Sequence, residues 1–140
     1  MNEEQSKHFS LSLKAIVLDG ERRCLLLRRS AASKNNPGKW EFPGGKMDRG
    51  ESFDETLKRE VREETSLEIH LIRPLETAMV TLPNCHVVYL FMLAGALPGE
   101  VRLSEEHDLY QWTGARELQH VDLVSQFQAV ARRCADYLTE

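Results

Sequence analysis

The regular pattern of this chain starts at Phe9, where apolar and polar residues alternate through Leu11 and Leu13 before the run Ala15-Ile16-Val17-Leu18. Alternation of period two marks a strand with one wet face, and the apolar run marks the same strand entering a core. Asp19-Gly20 is a turn signal and Cys24-Leu25-Leu26-Leu27-Arg28 reads as a second strand, so the two are predicted to form a hairpin. Residues 30–39 are small and polar and contain Asn35-Asn36-Pro37-Gly38, which predicts a loop. Trp40-Glu41-Phe42 is a short extended segment, broken by Pro43-Gly44-Gly45. A helix is predicted over 52–65: Ser52 and Glu55 form a capping-box pair, and Phe53, Leu57 and Val61 recur every four residues. Strands are predicted over 67–81 and 87–94, separated by a Pro83-Asn84 turn, with a further short strand over 109–112. Apolar residues at 127, 130, 131, 134, 137 and 138 predict a second amphipathic helix over 123–138. Residues 1–7 carry no pattern and are expected to fray. The order strands, helix, strands, helix predicts one α/β domain over 1–140, its sheet covered by helices.

Composition narrows this mainly by exclusion. The chain has 140 residues, 41% hydrophobic and 29% charged, which is ordinary for a globular domain and leaves room for a sizeable core. The longest apolar run, over 87–94, is far too short to cross a bilayer, and the acidic, polar start Met1-Asn2-Glu3-Glu4-Gln5 does not read as a secretion leader. The net charge of −4 argues against a nucleic-acid polymer as partner, though not against a single nucleotide. Cys24, Cys85 and Cys134 are odd in number and widely spaced, which predicts reduced thiols, a cytoplasmic setting and no zinc site.

The first helix does not read as ordinary surface. Projected at about 100° per residue from Phe53, Leu57 and Val61 lie near 40° and 80°, while Glu60 and Glu64 lie near −20° and 20°. Glu63 falls near −80°, on the flank, and the water-facing positions are Glu55, Lys58 and Arg62. Three carboxylates within five residues repel one another, and burying any of them needs compensation. An arginine, Arg59 or Arg62, supplies it on one reading, and a hard divalent cation on the other. A solvated glutamate-rich helix is the plain alternative. The segment just upstream, Phe42-Pro43-Gly44-Gly45-Lys46-Met47-Asp48-Arg49-Gly50-Glu51, brings a glycine-rich loop to the start of the same helix. Such a loop allows close backbone approach to a ligand.

Gly45, Glu51, Arg59, Glu60, Val61, Glu63, Glu64 and Leu67 resemble the signature of the Nudix hydrolase family, G-x5-E-x7-R-E-U-x-E-E-x-G-U, at every spacing. Ser66 stands where the signature has its last glycine. A serine holding a left-handed backbone there costs roughly 1 kcal/mol, so a local adjustment of the helix exit is expected. The run Trp40 to Lys46 is similar to that of MutT-type members. The resemblance implies the Nudix fold, an α/β/α sandwich with a central mixed β-sheet, and hydrolysis of a nucleoside diphosphate linked to a group X with Mg²⁺, or Mn²⁺, as cofactor.

By the same resemblance, Glu60, Glu64 and the Gly45 carbonyl are implied as metal ligands, with Glu63 completing the shell or acting as base on water. Glu51 and Arg59 are implied as a pair holding loop against helix. Glu106, before a late strand, is implied as a further metal acid; otherwise Glu105 and Glu106 form a solvated loop. Arg29 falls where family members have an arginine near the phosphates; the alternative is an exposed strand-end cation. Glu41 and Lys46 are expected to meet substrate or water beside the loop. The histidines at 8, 70, 86, 107 and 120 have no ligand spacing and are expected at the surface or in loops, while Trp40 and Trp112 read as core or rim.

The function expected is Mg²⁺-dependent cleavage of a nucleoside triphosphate to the monophosphate and pyrophosphate, in the housecleaning manner of MutT-type members, by a monomer or homodimer. An alternative is an ADP-ribose or nucleotide-sugar pyrophosphatase, toward which Pro83, sixteen residues past Leu67, points. A second alternative is a nucleotide-binding domain without turnover.

Overall fold

The computed structural model describes residues 8–139; the terminus expected to fray, 1–7, lies outside the described residues. Strands β1 (His8–Leu18), β2 (Cys24–Arg29), β3 (Trp40–Glu41) and β4 (Gly44–Lys46) precede helix α1 (Phe53–Thr65). Then come β5 (Ile69–Thr81), β6 (Cys85–Ala96), β7 (His107–Thr113), the short helix α2 (Ala115–Leu118), a 3₁₀ turn over Ser125–Phe127, and α3 (Gln128–Leu138).

All seven strands form one mixed sheet with the path β3-β2-β1-β6-β5, to which β4 is added on β1 and β7 on β2. β1 is the spine: it runs parallel to β6 from His8 to Leu18 and antiparallel to β4 over Ser12–Lys14. The Asp19-Gly20 hairpin is present, with Asp19 accepting from the backbone of Glu21 and Arg23, but β1 pairs with β2 only at Leu18 and Cys24. Beyond that point β1 exchanges β2 for β4.

The period-two rule sorts the core into two layers. Leu13, Ala15 and Val17 of β1 and Leu25 and Leu27 of β2 pack with Leu57 and Val61 of α1. Ile16, Cys24 and Leu26 point the other way, against Phe127, Val130, Cys134 and Leu138. Helices therefore cover both faces of the sheet, which is why β1 and β2 read as apolar runs.

Four expectations change. The glycines at 44–45 form strand β4, since a Cβ on Gly44 would stand 2.0 Å from the Leu13 carbonyl oxygen and only glycine lets the strands meet. The second helix starts at Gln128, not 123, because residues 125–127 form the tighter turn, and α2 carries no periodicity long enough to read. Phe53 is exposed, and the buried residues of the helix are Thr56, Leu57, Val61, Glu64 and Thr65. Ser66 keeps the left-handed geometry of the missing glycine, at φ 65°, and its N–H closes the helix on the Arg62 carbonyl. No adjustment of the helix exit occurs, so the conformational strain is retained. Ser66→Gly is therefore expected to stabilise the fold by about 0.5–1 kcal/mol, read as a rise in the urea midpoint at unchanged m-value.

Candidate active site

Three elements meet along α1, from its cap at Ser52 to Glu64 in its last turn. Ser52 caps the helix by accepting the Glu55 N–H at 3.1 Å, which fixes where the first turn begins. The loop before it is tied down by Arg59, which donates to Glu51 through Nε at 2.8 Å and Nη2 at 2.9 Å. Thr56 Oγ1 adds a third bond to Glu51 at 3.1 Å. The hydrogen bonds from Arg59 lead the causes that hold the Glu51 carboxyl down at about 2. The second amino group of Arg59 reaches Glu60 at 3.1 Å and Glu63 at 3.3 Å. One guanidinium thus organises three of the predicted acids.

On the far side of the helix, Glu64 is buried, and its Oε1 accepts the Gly44 N–H at 2.7 Å. Burial pushes its carboxyl up to about 8, with Lys14 and the Gly44 bond opposing and the charges of Glu41 and Glu106 adding to the rise. Glu60 is raised as well, mainly by burial, against the pull of Arg59 and with the charges of Glu63 and Glu106 adding. Gly45 lies against Glu60: a Cβ there would sit 2.6 Å from the carboxylate carbon. Glu106 is brought in by the loop before β7, which is clamped by Ser104 N–H to the Glu64 carbonyl at 3.2 Å and by Ser30 N–H to the Glu106 carbonyl at 3.0 Å.

Glu60, Glu64, Glu106, Gly45, Lys46, Arg29 and Glu41 all line one cleft of about 320 Å³, which Tyr89, Val124, Gln126 and Phe127 line as well. Glu51, Arg59 and Glu63 lie outside it, with Glu63 exposed on the helix flank as the projection predicted. Glu41, expected to meet substrate or water, is only 4% exposed. Its oxygens accept from Lys14 Nζ at 3.2 Å, Arg29 Nη1 at 2.8 Å and His107 Nε2 at 2.7 Å. Burial alone would raise its carboxyl, but Lys14, the His107 bond and Arg29 outweigh burial and hold it at about 2.

Two of these partners were not expected in the site. His107, assigned to surface or loop, is buried, because β7 pairs with β2 and sets His107 opposite Arg29. Nothing in the local pattern of β7 shows this. Lys14 did leave a signal: it is a lone cation in the stretch where β1 enters the core, and a buried ammonium needs an anionic partner.

The donor set fits a hard divalent cation, being carboxylate and carbonyl oxygen. Among the described residues Glu41, Glu64 and His107 also gather donor atoms within 4.8 Å of one another, but they are the poorer choice. Glu41 is already neutralised there by Lys14 and Arg29. Inside the cleft Glu60 is shared with Arg59, Glu106 has no ion-pair partner among the described residues, and Glu64 is a buried carboxyl whose ionised form a cation there would favour.

The chain belongs to the Nudix family: the NUDIX domain model matches residues 9–134. It is thus a Nudix hydrolase, of a family whose enzymes generally use divalent cations. It is similar to "Nucleoside triphosphatase NudI" of Klebsiella pneumoniae subsp. pneumoniae, 30% identical over 118 residues, covering 76% of this chain and 84% of the relative. Among solved structures it is similar to a MutT protein from Methanosarcina mazei Go1, at TM-score 0.85 and 30% identity, covering 96% and 97% of the two chains. A C. elegans Ap4A hydrolase complex shares the fold at TM-score 0.76 and 20% identity, covering 93% of this chain and 98% of that one. Among the described residues no helix is long and apolar enough to cross a membrane.

Proposed function

We propose that the protein is a Mg²⁺-dependent nucleoside triphosphate pyrophosphohydrolase, acting through this one domain on a cytoplasmic nucleotide pool. The observation that carries the reading is the cleft itself, which brings the acids Glu60, Glu64 and Glu106 together with the cations Arg29 and Lys46 in a space the size of a nucleotide. The name of the Klebsiella relative supports the triphosphate as substrate.

Glu60, Glu64 and the Gly45 carbonyl would hold the cation, with Glu106 contributing from its loop. When bound, the cation supplies positive charge to the phosphate oxygens and makes water more acidic. Arg29 and Lys46 bind the phosphate chain and orient it for in-line attack. Glu63, exposed on the flank beside Arg59, would take the proton of the attacking water or complete the cation shell. Arg59 and Glu51 hold the glycine loop against α1 and so keep Gly45 against Glu60. Glu41 acts beneath Arg29 and does not touch substrate.

A panel of dNTPs, 8-oxo-dGTP, ADP-ribose and sugar nucleotides, each with Mg²⁺ and with Mn²⁺, tests the reading. Turnover of the triphosphates at a kcat/KM at least ~10-fold above the diphosphate-linked compounds is expected. The reverse order would replace it with the ADP-ribose or nucleotide-sugar reading, and no turnover at all would leave a binding domain.

A further inference from the structure

His107 is a buried ionisable side chain that the mechanism above leaves without a task. Its imidazole is wholly enclosed, and Nδ1 has no hydrogen-bond partner among the described residues. A buried polar atom without a partner is destabilising, and an apolar side chain would fill the same space without that penalty. What the imidazole adds is one N–H. A carboxylate only accepts, so Nε2 carries the hydrogen and donates it to Glu41 Oε2 at 2.7 Å.

The strand register explains how this bond reaches the cleft. Leu27 and Arg29 of β2 share one face, as residues two apart in a strand do. Glu41 is opposite Leu27, and His107 is opposite Arg29 just past an irregularity in the β2–β7 register after Arg28; the bonds of Arg29 and His107 to Glu41 show that these three side chains meet. The Glu41 oxygen that accepts from His107 also accepts Arg29 Nη1 at 2.8 Å. Arg29 is then fixed at two further points, by Nη2 to Ser33 Oγ at 2.8 Å and Nε to the Asn35 carbonyl at 2.7 Å. Of its five N–H donors two remain, on a side chain that is a quarter exposed at the cleft wall.

We propose that His107 is a positioning residue for phosphate binding: by holding Glu41 Oε2 it sets the plane of the Arg29 guanidinium, so that the two free N–H groups face the phosphate chain of the substrate. Without that bond Glu41 can rotate toward Lys14, and Arg29 loses the anchor that fixes its fork. The proposal rests on the reading that Arg29 binds phosphate. Its signature is a loss of affinity that runs through Arg29 and not through the neighbouring Glu106.

The test measures the dissociation constant of an α,β-methylene deoxynucleoside triphosphate with Mg²⁺ by calorimetry, and KM and kcat for the matching dNTP. The proteins are wild type, Arg29→Ala, His107→Leu, His107→Gln and the Arg29→Ala/His107→Leu double variant. His107→Leu is expected to weaken analogue binding and raise KM by about 5- to 20-fold, with kcat changed less than about 3-fold. His107→Gln, whose amide N–H can stand where Nε2–H stood, is expected to return both to within about 2-fold of wild type. In the Arg29→Ala background, His107→Leu is expected to add less than about 2-fold.

Unchanged affinity in His107→Leu overturns the proposal, as does an equal loss with and without Arg29, which would place the effect on Glu106 or on folding. Should His107→Leu fail to fold, a His107→Gln protein with weakened binding equally overturns it. If Arg29→Ala binds the analogue as wild type does, the phosphate assignment of Arg29 falls and the proposal with it. A wild type that binds the analogue and cleaves no nucleotide would instead contradict the hydrolase reading and leave the affinity comparison intact.

Discussion

Glu64→Gln is expected to lower turnover by about 10³-fold and, without divalent cation, to make the protein more stable than wild type at alkaline pH. Glutamine keeps an oxygen for the Gly44 N–H, so the packing of β4 against α1 is preserved, while the charge that burial opposes is removed. The folded carboxyl titrates at about 8, against 4.5 for the ordinary value. Between these two values the unfolded chain has released a proton that the folded one retains. Wild-type stability relative to the variant therefore falls as pH rises through that window and is constant above it. At about 1.4 kcal/mol per pKa unit, a gap of about 2–4 kcal/mol is expected at pH 8.5, closing by pH 4.5. Denaturant melts at the two pH values read it, and added Mg²⁺ is expected to stabilise wild type and not the variant. Equal turnover in the variant would remove Glu64 from the cation site.

The second large effect concerns Glu41. Glu41→Leu leaves the Lys14 ammonium buried without its ion pair, the carbonyls of Phe42 and Gly44 at 3.2 and 3.5 Å being its remaining hydrogen-bond partners among the described residues. Breaking a buried pair from one side costs about 3–5 kcal/mol, which for a chain this long lowers the melting midpoint by roughly 10 °C. Replacing both members, Lys14→Met with Glu41→Leu, is expected to recover most of that loss, because it removes both charges from the interior. The pH dependence has the opposite sign to that of Glu64. The Glu41 carboxyl is lowered to about 2, so its contribution is complete above about pH 4.5 and is lost as pH falls toward 2. The gap between wild type and Glu41→Leu is therefore expected to close in acid. A double variant no more stable than the single one would show that Lys14 is not the group Glu41 neutralises.

What could be read from the residues alone follows from range. The acids of α1 were legible because a helix places residues four apart on one face, so Glu60 and Glu64 declared themselves beside Leu57 and Val61 within a single segment. Glu106 needed the resemblance, since only the clamp on the Glu64 and Glu106 carbonyls brings its loop to the helix. The cluster of Arg29, Glu41, Lys14 and His107 was legible only in part: Arg29 and Glu41 were expected near the substrate and Lys14 stood out as a lone cation in an apolar strand, but His107 gave no signal and the contacts among the four did not show. They are made by β7, β2, β3 and β1, which only the sheet brings together. β4 was misread for a related reason: Gly44 and Gly45 look like a turn, whereas their missing side chains admit Leu13 on one side and Glu60 on the other.

The central claim, that this cleft cuts a nucleoside triphosphate between its α and β phosphates, is tested most directly by ³¹P NMR of one dNTP incubated with the wild-type protein and Mg²⁺. The expected products are the nucleoside monophosphate and pyrophosphate in equal amounts, with no signal from the diphosphate. Accumulation of the diphosphate with orthophosphate, or an unchanged substrate spectrum with both Mg²⁺ and Mn²⁺, would contradict it.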